Sequence, residues 1–255
     1  MDSYDKMSSN ETKAQMEQML QALEEAQKTG RELTDDQTGR ALTRADIYCS
    51  FGEYGQALHE FEKEISIARR TKNVREETYL LIIAGTYYAK VGNVQKGLDY
   101  INKGLKLAKK TGYREQEAQA HIELGQIWSA YQRHEDALEQ YCEVVAIARS
   151  MNNRHYHHLG LGNMGAILGR MGRYQESIKS LTAAGGIAQA INDKVHEAIY
   201  AKNIGMAHFH LKEGGEALMF FDYYEQLCQE IHIPAEPEIV QLAQEMREVY
   251  RRRMG

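Results

Sequence analysis

Gly85, Gly125, Gly165 and Gly205 stand forty residues apart, and this spacing constrains the fold more than any other feature of the chain. A column of small residues keeps the same period: Ala57, Gly97, Ala137, Ser177 and Ala217. Four residues later comes a bulky column of Phe61, Ile101, Tyr141, Leu181 and Phe221. Ala68, Ala108, Ala148, Ala188 and Cys228 form another column, and Tyr48, Tyr88, Trp128, Leu168 and His208 an aromatic-leaning one. Copies that hold register without an insertion are the signature of stacked structural repeats, each one a supersecondary unit.

Two runs of helical period fill each copy. In the third, Ala120, Leu124, Ile127, Trp128 and Tyr131 mark one apolar face, and Ala137, Leu138, Tyr141, Val144, Val145 and Ala148 mark a second. Between the runs stand Gly52, Gly92 and Gly172, with Gln132 and Lys212 as departures; glycine suits the left-handed residue that ends a helix. No proline precedes Pro234, so nothing interrupts the helices. The unit is a helical hairpin, and small residues facing bulky ones let its two helices close tightly.

Composition excludes several classes. The 255 residues are 43% hydrophobic and 26% charged, an ordinary globular balance. The longest apolar run, Tyr79–Gly85, is too short to cross a bilayer. The polar N-terminus has no signal-peptide pattern. A net charge of −5 argues against nucleic acid or an anionic membrane as partner. Three scattered cysteines, Cys49, Cys142 and Cys228, fit a reducing compartment and read as helix-core positions.

The columns resemble the tetratricopeptide repeat, whose first helix carries Leu-Gly then an aromatic and whose second carries Ala then Phe. Leu124-Gly125, Trp128, Ala137 and Tyr141 match it, as do Ile204-Gly205, Ala217 and Phe221. The junction proline is missing from every copy. The forty-residue period, with Asn163 and Asn203 before the Met-Gly and Ile-Gly pairs, is similar to the repeats of Pins, rapsyn and kinesin light chain. The resemblance implies an all-α, right-handed superhelical solenoid of about five hairpins with capping helices at both ends. On this reading residues 1–12 are a disordered N-terminus and 13–35 a capping half-repeat. Residues 36–232 hold the five units, and 233–255 form a C-terminal cap ending in Arg247, Arg251, Arg252 and Arg253.

Catalytic and cofactor motifs find no support. Gly160-Leu161-Gly162-Asn163-Met164-Gly165 matches a dinucleotide fingerprint, but that motif needs a preceding strand. His155, His157 and His158, with His196 one repeat on, lack the accompanying ligands of a structural metal site and read as a solvated helix start. The chain is therefore expected to be no enzyme and to carry no cofactor and no metal.

The resemblance implies a concave groove lined by the first helices, three residues before the periodic glycine, one after it, and four to five after it. These offsets select Leu42, Ile82, Ile122, Gly162 and Lys202 in the first row. The other rows give Lys90, Gln126, Ser129, Arg170, Met206, Phe209 and His210, and Asn163 and Asn203 border them. Gly162 and Gly169 on one helix face admit two readings: close approach of a ligand's main chain, or tight helix packing. Phe220 likewise reads as a docking patch or as packing beneath the C-terminal cap. The expected function is a cytoplasmic adaptor binding an extended or helical peptide of a protein partner, with acidic guests favoured by Arg170, Lys202 and His210. The alternative is a structural subunit of a cytoskeletal or ciliary assembly using its convex face and ends.

Overall fold

The computed structural model describes residues 9–29 and 43–254. Described residues form α-helices and connecting turns, with no strand. The helices are α1 (Ser9–Lys28), α2 (Arg44–Ser50), α3 (Tyr54–Arg70), α4 (Val74–Lys90), α5 (Val94–Thr111) and α6 (Arg114–Ala130). They continue as α7 (His134–Ser150), α8 (Arg154–Arg170), α9 (Tyr174–Ala190), α10 (Lys194–His210), α11 (Gly214–Glu230) and α12 (Pro237–Met254). Residues 1–8 and 30–42, which include Leu42, lie outside the described residues, as do the side chains of Arg251, Arg252 and Arg253.

The chain divides into two compact units, 1–111 and 112–255. In the first, α2 pairs with α3 and α4 with α5, and α3 also packs on α4. In the second, α6–α7, α8–α9 and α10–α11 are hairpins, with α7 against α8 and α9 against α10 joining them.

The columns of the sequence become contacts inside each hairpin. A Cβ added to Gly125 would lie 2.6 Å from the Tyr141 ring, and one on Gly205 2.6 Å from that of Phe221. Gly165 meets Leu181 and Gly85 meets Ile101 at the same distance. The missing methyl is thus the space into which the bulky column inserts. Phe61, Ile101, Leu181 and Phe221 are all but fully buried, each contributing about 1.5–3 kcal/mol of apolar transfer.

Turns repeat every twenty residues. Gly52, Lys72, Gly92, Gly112, Gln132, Asn152, Gly172, Asn192, Lys212 and His232 all have positive φ, between 52° and 88°. At Gln132 the chain is locked by two backbone bonds, Gln132 N–H to Ser129 O at 3.0 Å and Arg133 N–H to Trp128 O at 2.9 Å, the pattern that closes a helix C-terminus. The next helix often opens on a side-chain cap: Asn73, Asn153 and Asp193 accept from the N–H groups of Glu76, Tyr156 and His196.

Both ends of the described chain are covered. Met16 and Leu23 of α1 pack on Ile47 of α2, and Arg44 pairs with Glu24 at 2.7 Å. Pro237 opens α12, a position where its missing N–H costs nothing. Ile239 and Ala243 then join Phe221, Tyr224, Leu227 and Cys228 in one cluster. Arg247 bridges Asp222 and Glu225 on α11. Phe220 is half-buried, stacked on His208 with centroids 5.6 Å apart and packed against the cluster beneath α12. The packing reading of Phe220 therefore holds.

Candidate functional site

Two adjoining clefts open on the second unit. The first, about 330 Å³, is lined by Gln126, Ser129, Ala130, Tyr141, Asn163, Ala166, Ile167 and Arg170. The second, about 300 Å³, involves Ala166, Gly169, Arg170, Asn203, Met206 and His210, with Tyr174, Ser177 and Ala207 completing it. Most of these groups come from α6, α8 and α10, the first helices of successive hairpins. Seven of the nine sequence-selected residues thus meet around Ala166 and Arg170, which border both clefts.

Arg170 gives the region its charge. Its guanidinium donates to the Ser129 hydroxyl, and among the described residues no carboxylate pairs with it. Neighbouring arginines differ: Arg133 is tied to Asp136 and Arg173 to Glu176. His210 stacks on Tyr174, with centroids 4.8 Å apart and planes 8° from parallel. Asn163 and Asn203 are half-buried at equivalent positions one repeat apart, each with an amide that can donate to and accept from a peptide backbone. The Tyr141 hydroxyl, pushed above its ordinary pKa chiefly by burial and lowered somewhat by Arg170, stays a neutral donor.

The two remaining selected residues stand apart. Lys202 is held by Glu236 at 2.6 Å, so the segment before α12 occupies it. Lys90, in the first unit, lies over the Tyr87 ring at 4.6 Å. Tyr174, Ser177 and Tyr141 were missed because they start or line the second helices, which the family offsets ignore. The Ser177 hydroxyl, bonded to the Gly165 carbonyl at 2.7 Å, fills the small-residue column as a polar residue, and that was the available signal.

Several expectations need correction. Ile82, Ile122 and Gly162, in the row three residues before the periodic glycine, do not face solvent. Ile82 is 1% exposed, with Gly104 of α5 packed on it, and Ile122 is 5% exposed. Gly162 is buried too: a Cβ there would lie 2.5 Å from Tyr200 Cζ and 2.6 Å from its Oη. Tight packing, not ligand approach, explains that glycine; Gly169 meets Ser177 Oγ at 3.3 Å. Cys142 is exposed rather than in the core. All three thiols are driven upward by burial, Cys49 to about 11, and a protonated thiol is a poor nucleophile.

One of the histidines departs from the solvated helix start. His158 is fully buried, and desolvation, with His196 beside it, lowers its pKa to about 4. Its Nδ1 lies 3.0 Å from the Tyr200 hydroxyl. His155 remains exposed, and His157 is engaged by Arg149 at 3.2 Å.

Hairpins of two seventeen-residue helices, glycine-on-aromatic packing within each and a groove of first-helix residues define a tetratricopeptide-repeat protein. The family model of Anaphase-promoting complex subunit 5 matches residues 38–87, 78–164 and 126–212, more than half of the chain. The chain belongs to that family. Among solved structures it is similar to BtubC (BKLC) from P. vanneervenii, with 16% identity over 76% of this chain and 81% of that one, TM-score 0.67. The apo form of RapI gives 14% identity over 89% of this chain and a TM-score of 0.69, and the match spans 62% of RapI. A Podosopora anserina protein with nearly identical kinesin light chain TPR-like repeats gives 16% identity over 74% and 92% of the two chains, TM-score 0.60. At these identities the likeness is one of fold. No curated protein sequence matches the chain. Among the described residues, no helix is long and apolar enough to cross a membrane.

Proposed function

We propose that the chain is a non-enzymatic adaptor that holds an extended or helical segment of a partner protein in the clefts of its second unit. The observation that carries this reading is Arg170, a cation shared by both clefts that meets a hydroxyl but, among the described residues, no carboxylate. A guest carboxylate would gain a charge-assisted, bidentate hydrogen bond there. Asn163 and Asn203, one repeat apart, suit the guest's backbone, while Met206 and the Tyr174–His210 stack suit an apolar or aromatic anchor. The favoured guest is therefore acidic. Lys202 belongs to the same proposal as a flanking cation once Glu236 releases it, and Lys90, in the first unit, stays a separate candidate.

A second reading has its own support. The matched family is described as a subunit of the anaphase-promoting complex, which favours a structural subunit held in a larger assembly by its convex face and ends. Cytoplasmic placement and a link to the cytoskeleton or cilium are finer proposals, for which the support is the fold likeness to the Podosopora anserina kinesin light chain repeats.

Affinity capture from cytosol with the parent and with Asn163→Ala/Arg170→Glu/Asn203→Ala separates the two. Circular dichroism checks that the variant folds. Under the adaptor reading a partner is lost from the variant, and an acidic peptide from that partner binds it at least tenfold more weakly, equal to about 1.4 kcal/mol. Partners retained at equal yield transfer the function to the convex face or the ends.

A further inference from the structure

The first turn of α8 and the turn before α10 bring His155, His158 and Asp193 together, with one ligand atom from each lying within 4.8 Å of the others. His158 decides what this cluster can do. Tyr200 Oη lies 3.1 Å from the His158 carbonyl oxygen and 3.0 Å from His158 Nδ1, so the tyrosine anchors the imidazole on its Nδ1 side. When the Tyr200 proton goes to the carbonyl, Nδ1 is the donor and the lone pair falls on Nε2. Nε2 is fully buried and has no hydrogen-bond partner among the described residues, and it lies 3.6 Å from Asp193 Oδ2. In that tautomer a buried imidazole lone pair and a carboxylate oxygen face each other with no hydrogen between them.

A cation resolves the conflict. We propose that His155, His158 and Asp193 bind one first-row divalent ion, Zn²⁺ being suited to two imidazoles and a carboxylate, with the fourth position open to water. The donor set is right: a neutral Nε2 whose other nitrogen is anchored by Tyr200, a carboxylate, and a second imidazole on the exposed side that gives the ion an entry path. Asp193 is itself positioned, accepting from His196 Nδ1 at 2.8 Å and from the His196 N–H at 3.1 Å, the outer support that ligating carboxylates ordinarily have. Tetrahedral binding needs donors about 3.4 Å apart, which rotation of the exposed His155 side chain can supply. The partial positive charge at the two helix starts opposes a cation, and the Asp193 carboxylate offsets it. Bound there, the ion would tie α8 to the turn that opens the next hairpin.

Zn²⁺ titrated calorimetrically into the chelator-treated full chain tests this against His155→Ala and Asp193→Asn. His155 is exposed, and asparagine retains the helix cap, so both variants should fold as the parent does; circular dichroism verifies it. The expected result is one Zn²⁺ per chain, with affinity at least tenfold lower in each variant, and a four-coordinate absorption spectrum when Co²⁺ replaces Zn²⁺ in the parent. Equal Zn²⁺ binding by all three proteins, assigning it to other surface histidines, or no binding by the parent, overturns the proposal.

Discussion

At Gly85 the atoms that exclude a methyl group are backbone: an added Cβ would lie 2.7 Å from the Gly97 carbonyl oxygen and 2.9 Å from the Ile101 nitrogen. Neither can rotate away, so Gly85→Ala must push α4 from α5. A loss of about 3 kcal/mol is expected, at the upper end of ordinary overpacking, read as a lower denaturant midpoint at constant slope. Gly186→Ala should do the opposite. Gly186 sits inside α9 with open space around it, and alanine there should add about 0.5–1 kcal/mol through helix propensity alone. The periodic glycines were legible in the sequence because each faces a residue of its own hairpin. Gly162 was legible only as an anomaly. Its cause, Tyr200, comes from the next hairpin and stands where earlier copies have Leu80, Ala120 and Gly160, while Gly162 stands where they have Ile82 and Ile122. Volume lost at one position is returned at the other, a compensation between copies that reading each copy alone does not reveal. The same exchange hid the buried state of His158, whose Nδ1 meets that tyrosine.

Turns and helix faces were read with uneven success. Glycine marked the turns at Gly52, Gly92 and Gly172, yet the same left-handed geometry occurs at Lys72, Gln132, Asn152, Asn192, Lys212 and His232. Backbone bonds back to the preceding helix impose that geometry whatever the side chain, so composition signals it only where glycine happens to stand. Gln132→Gly should therefore stabilise. Relief of the left-handed conformation, about 1–2 kcal/mol, outweighs the added freedom of the unfolded chain, about 0.5–1 kcal/mol, for a net gain of about 0.5–1 kcal/mol; thermal melting of the single variant measures it. The first-helix faces were legible one and four to five residues after the periodic glycine, where Gln126, Ser129, Ala166, Arg170, Met206 and His210 reach the clefts. They failed three residues before it. In α4 and α8 that row turns toward a neighbouring helix, and family offsets do not carry the helix rotation that decides which row is covered.

For the whole molecule, the period, the number of hairpins and the all-helical class were plain from the sequence, because a repeat fold writes its architecture once per copy. The division at residues 111 and 112 was not. Gly112 ends α5 with the same left-handed turn as its counterparts, and no change in composition marks it. Among the described residues, substantial packing within each unit joins only helices next to each other or two apart in chain order, so cohesion inside each unit is local. Force applied along either unit therefore meets no distant pairing among the described residues. In an optical trap the chain should give way hairpin by hairpin, each rupture paying out forty residues, about 130–140 Å of extended chain. A single release of the full contour would instead reveal cohesion running the length of the molecule. Tension along the chain would thus open it gradually rather than all at once, making the protein an extensible link whose slack comes in fixed instalments.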